Sequence, residues 1–587
     1  YLSIVMPDDL NMNQKLENIL NVSLDATEDE LRKADSLSTG YNWRDNTWEI
    51  IVKYSGSLES IRNRYNVYIK ELLNYYAIIV ADKATIELIS QEDVIDYVEK
   101  PKSLYYQIER TKTAACVGSV RADGNILSGK GVIVGVIDTG IDIFDNAFRN
   151  SDGTTRILNI YDQTTGEKYD KQSIDEYIRL NEDLSGGTFS YDNAPGVDNI
   201  MHGTDVSYIA AGSLGVAYEA DIIAVKMGYS INNQFPRTTS LMDAIDYIIR
   251  KAIEYRKPVA VNISYGCNYG AHNGNTLLES FIDDISKSYR CVICVGSGNE
   301  ADKAIHFGGI INTGQVQTAY LSVGEYQSAI DIQIWKNYWD TIDVMLINPR
   351  GEQIGIITEG RINRYETYNT EIITLLGEPS PYNIYQEIYI NLIPKTDYIL
   401  SGIWQIVLMA GSIRAGEYNI WLPSSQALGY ATAFNNPTAD GTITIPATAR
   451  NCIAVGAYNA YTNSYAAFSG RGFDNSIRNV NAGVKPDITA PGVDISIARQ
   501  RGNDITYRNV TGTSYAVPVV TGAAALLMQW GIVMGNDRFM YGEKLKAALI
   551  DGSKPVGLVG ITRNDNQPDP RTGWGAVCLK NTLNKIL

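Results

Sequence analysis

Two kinds of hydrophobic pattern divide this chain. The run 131–137 is apolar throughout, as in a strand buried on both faces. A strand at 220–227 leads into an amphipathic stretch of helical spacing at 238–255, and the next strand reads at 259–264. Strand and helix in alternation predict a parallel sheet with right-handed crossovers, an α/β fold. Residues 516–530 are rich in Ala and Leu and read as a helix, with Pro518 expected in or near its first turn, where proline is best tolerated.

The flanking and inserted regions have other rhythms. Within 1–107, residues 47–54 and 76–81 read as strands, 86–91 as a short helix and 94–100 as a further strand. That is a separate α+β unit, in which the polar, helix-prone stretch 26–40 is expected to be peripheral. Residues 149–199 are polar and rich in Asp, Tyr and Gly, and read as a surface insertion at the rim of a cleft. Between 311 and 436, short stretches such as 329–335, 342–347, 385–390 and 402–407 alternate apolar and polar, punctuated by turn residues at 348–351 and 415–416. This predicts an inserted antiparallel β-sandwich of the jelly-roll type; a carbohydrate-binding module is the alternative. The expected plan is 1–107, 108–310, 311–436 and 437–587, the second and fourth segments forming one domain.

Composition narrows the function classes. The chain has 587 residues and a formal net charge of −16, which argues against nucleic acid or an anionic membrane as partner. No apolar run approaches the roughly 20 residues needed to cross a bilayer, and the start lacks the basic and apolar regions of a signal peptide. Six scattered cysteines do not make a disulfide scaffold, and none needs a partner. Cys291 and Cys294 sit in an apolar strand on opposite faces and read as buried structural thiols rather than a metal or redox pair. No His/Cys set of metal-binding spacing is present.

Three short segments carry the chemistry: Asp138-Thr139-Gly140 at the end of the first apolar run, His202-Gly203-Thr204, and Gly512-Thr513-Ser514 at the start of the last helix. A serine hydroxyl is a weak nucleophile until a base takes its proton. An imidazole can do this near neutral pH and return the proton to the leaving amine, while a carboxylate orients it. The chain has only three histidines, and His272 and His306, in Gly-rich and polar stretches, read as non-catalytic. Ser514 at a helix start faces the positive end of the helix, where a developing oxyanion is stabilised.

The order Asp, His, Ser with these motifs resembles the subtilases, a family of serine endopeptidases. The resemblance implies a subtilisin-like, doubly wound and mostly parallel sheet, and a triad of Asp138, His202 and Ser514. It assigns the oxyanion amide to Asn299 in Gly298-Asn299-Glu300, and the substrate-binding edges to Gly228-Tyr229, Ser264-Tyr265-Gly266 and Gly296-Ser297-Gly298. The unit 1–107 is similar to a subtilase propeptide, whose tail from Tyr97-Val98-Glu99 implies self-cleavage between Gln107 and Ile108, with the propeptide held in the site as inhibitor. Propeptide, triad and insert together resemble the clostridial Csp subfamily, which activates a cortex-hydrolase zymogen in spore germination. A degradative protease, or a catalytically silent relative serving as sensor or scaffold, are the alternatives. The partners implied are a protein or peptide substrate and the chain's own propeptide, in a soluble bacterial protein, spore-associated or secreted. No cofactor is expected; calcium enters only by family analogy, without a ligand pattern in the sequence.

Overall fold

The computed structural model describes residues 15–28, 31, 38, 40–72, 75–101, 114–117, 121–122, 125–182, 194–230, 233–357, 362–378, 383–473, 484–501, 504–557 and 568–587. The chain forms two compact units, 1–105 and 106–587. Gln107 and Ile108 lie outside the described residues.

In the first unit the Thr47–Tyr54 strand is central, paired antiparallel with Tyr76–Ala81 on one side and Ile95–Glu99 on the other; Tyr68–Leu72 extends the sheet. Every second residue of Thr47–Tyr54 is buried, the alternation of a half-buried strand. Its core also takes Leu16, Leu20 and Leu24 from the Asn18–Asp25 helix and its approach, residues that have no place in the sequence pattern.

The second unit is built on a mostly parallel sheet. Its central strand, Ile133–Asp138, lies between Asp221–Lys226 and Val259–Ile263, and Cys291–Gly296 and Ile453–Asn459 continue the sheet in parallel. All six residues of Ile133–Asp138 are buried, which is why its sequence reads as a continuous apolar run. The Thr238–Tyr255 helix packs on one face, as its periodicity predicts, and the Thr513–Met528 helix on the other. The latter continues through a π-helical turn at Gln529–Val533, and 83% of its most apolar window is buried, so its apolarity belongs to the core.

Three expectations need correcting. The stretch 149–199 is not only a surface insertion: Ile157–Asp162 is a strand of the parallel sheet, paired with Asp221–Lys226. Its polar members disguise it, yet Asn159 and Asp162 are buried, and Asn159 accepts a hydrogen bond from the Tyr255 hydroxyl at 2.8 Å. Pro518 is not in the first turn of its helix but in the sixth position. Cysteine pairing is also present: Cys116 and Cys578 form a disulfide between residues 462 apart. The remaining four cysteines are free, with Cys291 and Cys294 buried in their strand.

Between Gly296 and Ile453 the chain builds two further antiparallel sheets. One runs His306–Ile310, Glu417–Trp421, Ile330–Asn337, Tyr385–Pro394, Thr370–Leu376, Ile362–Glu366; the other runs Gln353–Ile356, Ile342–Ile347, Gly402–Ala410, Val316–Val323, Ala433–Phe434. Both contribute to one core that includes Ile332, Ile390, Trp404 and Ile420, separate from the cores around the parallel sheet. The first of these strands starts at His306, ahead of the expected 311, where His306 pairs with Trp421. The two histidines read as non-catalytic meet here: His272 and His306 stack on Trp421, with ring centroids 4.2 and 4.9 Å away.

Candidate active site

Asp138 is the last residue of the central strand, at the carboxyl end of the sheet, where α/β folds place their sites. His202 opens the His202–Ala211 helix. Gly203 permits the approach of that helix to the strand: a Cβ there would lie 2.3 Å from the Gly140 carbonyl oxygen and 2.9 Å from the Asp138 Cβ. His202 Nδ1 consequently sits 2.6 Å from Asp138 Oδ1.

One residue the motifs did not single out organises this junction. Buried Asp198 accepts from the Met201 N–H (2.7 Å) and the Thr139 hydroxyl (2.8 Å) through one oxygen, and from the Thr204 N–H and hydroxyl (both 2.8 Å) through the other. Thr139 in turn accepts from the Gly203 N–H at 2.9 Å. The Asp138 loop and the histidine helix are thereby fastened through a carboxylate between them. Its signal was an Asp four residues before the helix start, a pattern common to turns and caps.

The electrostatics favour a protonatable imidazole. Burial lowers the His202 pKa, but the Asp138 charge, its hydrogen bond and the Asp198 charge raise it, against a smaller lowering by Arg508; the net position is above the usual 6.5. Buried Asp138 also accepts from the Thr139 N–H at 2.8 Å. With the carboxylate on Nδ1, Nε2 is the nitrogen left to take a proton.

Ser514 is the second residue of the Thr513–Met528 helix, and the ring of the following Tyr515 lies 5.3 Å from the imidazole, so the helix start and the histidine converge. The Asn299 side chain reaches the same place. Its Oδ1 accepts from both the N–H and the hydroxyl of Thr513, each at 3.0 Å. A backbone N–H can only donate, so the amide oxygen is fixed on Thr513 and the NH2 group is the end that faces away from it. That NH2 nitrogen lies 3.6 Å from where a Gly512 Cβ would stand, beside the serine. An amide donor, a helix N-terminus and a hydroxyl thus share one corner, an arrangement able to stabilise an oxyanion.

Of the remaining sequence-predicted residues, Ser264 and Gly296 reach the start of the Thr513–Met528 helix. Ser264, Tyr265 and Gly266 follow the Val259–Ile263 strand, and the Ser264 hydroxyl contacts the Ser514 carbonyl at 3.4 Å. Gly296 ends its strand against Thr513, and Ser297 is buried behind it. Gly228 donates to Gln163 at 3.0 Å, and Tyr229–Ser230 pairs with Asn233–Pro236 as a hairpin. Gly266 and Gly298 converge on a residue the sequence did not mark, Thr444: Cβ atoms on the two glycines would lie 2.4 and 2.7 Å from its Oγ1. Among the described residues no group of three or more His, Cys, Asp or Glu is arranged to hold a metal ion.

Comparison with known proteins gives the family. Residues 14–102 match the model of the Csp protease B prodomain, and 129–379 with 415–575 match that of the subtilase family. The solved structure of the Clostridium perfringens CspB protease is similar over 81% of this chain and 97% of its own, with a TM-score of 0.74 and 34% identity. The subtilase-type proteinase RRT12 of Saccharomyces cerevisiae is 33% identical over 128 residues, 21% of this chain and 23% of that protein. Subtilisin-like protease 10 of Arthroderma otae is 34% identical over 120 residues, 20% of this chain and 27% of its own length. The match spans about a quarter of these curated relatives.

Proposed function

The chain belongs to the subtilase family of serine endopeptidases, with a Csp-type prodomain ahead of the protease domain, and from this we propose that it cleaves peptide bonds through Ser514, His202 and Asp138. The observation that carries the reading is the 2.6 Å contact of His202 Nδ1 with Asp138 Oδ1 beside the helix start that bears Ser514.

Ser514 Oγ attacks the scissile carbonyl carbon as its proton passes to His202 Nε2. The Asn299 NH2 and the Ser514 N–H donate to the oxyanion. The tetrahedral carbon expels the amine, which takes the proton from His202, and leaves an ester on Ser514. Water, deprotonated by His202, then hydrolyses the ester and returns the serine. Asp138 holds Nδ1–H and stabilises the imidazolium. The peptide lies extended along Gly228-Tyr229, Ser264-Tyr265-Gly266 and Gly296-Ser297-Gly298. Labelling of the full chain with a fluorophosphonate, which reacts only with an activated serine, tests this: Ser514 in the wild type is modified, and Ser514→Ala is not.

The enzyme is a zymogen in this reading. Residues 1–107 are the propeptide, 108–310 and 437–587 the protease domain, and 311–436 an inserted jelly roll with a core of its own, which supports the insert as a folded domain. Eight residues separate Glu99 from Ile108, a reach of at most about 29 Å, and cleavage falls between Gln107 and Ile108. N-terminal sequencing of the large fragment tests it: a start at Ile108 supports the site, and an uncut chain with a reactive Ser514 refutes it. The Csp-type prodomain supports the role that the resemblance to the Csp subfamily implies, activation of another zymogen during germination.

A further inference from the structure

The strand Ile495–Arg501 pairs antiparallel with Asp504–Val510, and this hairpin runs through Thr511 and Gly512 into Ser514. Ile497 stands opposite Arg508 and Arg499 opposite Thr506, so positions 497, 499, 501 and 508 share one face. Ile495, Ile497 and Arg499 are buried on it. A buried guanidinium needs a counter-charge, and each arginine of this face has one. Arg501 Nε donates to Asp142 Oδ2 at 2.7 Å. Arg499 and Arg508 both reach Asp205, Arg499 at one carboxylate oxygen with its Nε at 3.0 Å, and Arg508 at the other.

Asp205 is fully buried and lies in the first turn of the His202–Ala211 helix, three residues after His202. The two arginines also hold the start of that turn. The Met201 carbonyl takes the Asp205 N–H at 3.2 Å, and the same oxygen receives Arg499 Nη2 at 3.0 Å and Arg508 Nη2 at 3.5 Å. Met201 has a φ of 67°, a left-handed conformation that a residue with a side chain keeps only where its surroundings impose it. Its N–H is tied to Asp198 at 2.7 Å and its carbonyl to the hairpin. The strained residue immediately ahead of His202 is thereby gripped on both sides.

We propose that Arg499 and Arg508 are positioning residues for the base: through Met201 and Asp205 they fasten the turn that carries His202 to the hairpin that leads into Ser514. One element then sets the place of both base and nucleophile. Arg508 adds an electrostatic effect. His202 is faced by Asp138 from the strand end, Asp198 from the preceding loop, Tyr515 from the nucleophile's helix and Arg508 from the hairpin. Burial and the Arg508 charge lower its pKa, and the two carboxylates raise it. The proposal rests on the reading of His202 and Ser514 as base and nucleophile.

The test uses the full chain, with peptide kinetics, fluorophosphonate labelling and urea titration of each variant. Arg499→Ala should lower kcat about ten- to a hundredfold, the effect of a displacement on the order of 1 Å at a catalytic group, with KM within about twofold. The labelling rate of Ser514 should fall by the same factor. Arg499→Lys keeps the charge and one donor and should recover part of the loss. Arg508→Gln removes a cation that disfavours the imidazolium, so the acid limb of kcat/KM should move to higher pH, whereas Arg508→Lys should leave it in place. Arg501→Gln breaks an ion pair on the same hairpin face without touching Met201 or Asp205, and it should change kcat less than about threefold. A kcat for Arg499→Ala no lower than that of Arg501→Gln, or an acid limb unmoved in Arg508→Gln, overturns the proposal. A wild type that fails to label at Ser514 refutes instead the reading on which it rests.

Discussion

The Ser264 hydroxyl lies 3.4 Å from the carbonyl oxygen of Ser514, and Pro518 is the reason that oxygen is available to it. In an unbroken helix the N–H of residue 518 would bond the carbonyl of residue 514; proline has no N–H to offer. Ser264 replaces the missing donor, and it is itself held by Asn262, whose NH2 donates to Ser264 at 3.0 Å while its oxygen accepts from Thr521 at 3.1 Å. A chain of hydrogen bonds thus runs from the helix to the strand end and back to the backbone of Ser514. Ser264→Ala leaves two groups without partners. It should cost about 1–3 kcal/mol of stability and lower kcat more than it changes KM, as read from urea titration and peptide kinetics.

Ser514→Ala should leave the fold intact, since only an Oγ at a helix start is lost, and should abolish turnover. His202→Ala should be equally inactive and the double variant scarcely worse, because the members of one catalytic unit are not additive; in subtilisin, where this non-additivity is known, the loss is on the order of a millionfold. Steady-state kinetics on the three variants decides it.

The acid limb of kcat/KM should lie above pH 6.5. His202 must be neutral to accept the serine proton, and its pKa is held up by Asp138 and Asp198 against the lowering by burial. Activity is therefore lost as pH falls through that raised value. Asp138→Asn removes the main raising charge, so the limb should move to lower pH while the remaining rate drops about ten-thousandfold, the figure known for the equivalent change in another serine protease. A pH–rate profile of both proteins checks the direction.

Asn299→Leu should reduce kcat by about a hundred- to a thousandfold with little change in KM, the range known from subtilisin for loss of one oxyanion donor. Thr513→Val removes one of the two groups that fix the Asn299 oxygen and leaves the other. It should have a smaller effect in the same direction, about two- to tenfold. The two sets of kinetic constants, measured together, test whether Thr513 acts through Asn299.

The residues proposed for the triad stand out in the sequence because each lies in a short segment with its own context, and the structure places Asp138 at the end of a buried strand and His202 and Ser514 at helix starts. The parts that went unread depend on distance or disguise. Thr444 is 145 positions from Asn299, beyond the inserted sheets, and is an ordinary threonine among apolar neighbours. Ile157–Asp162 carries polar residues that are satisfied only by partners such as Tyr255, which no local pattern reveals. Asp198 looks like any turn aspartate until its four hydrogen bonds are seen. Pairing of cysteines 462 residues apart leaves no trace in spacing.

That last pair has a topological consequence. All residues between Cys116 and Cys578 form a covalently closed ring, with Leu579 reinforcing the closure through its N–H to the Ala115 carbonyl at 3.1 Å. A ring cut once is still a single molecule. A protease nick in any loop between the two cysteines therefore releases no fragment and opens no new independent chain, and the broken enzyme migrates as one species until a reductant separates the pieces. Damage to this protein can accumulate unseen on a non-reducing gel, and a molecule severed within the ring keeps its two halves at the effective concentration of an intramolecular pair.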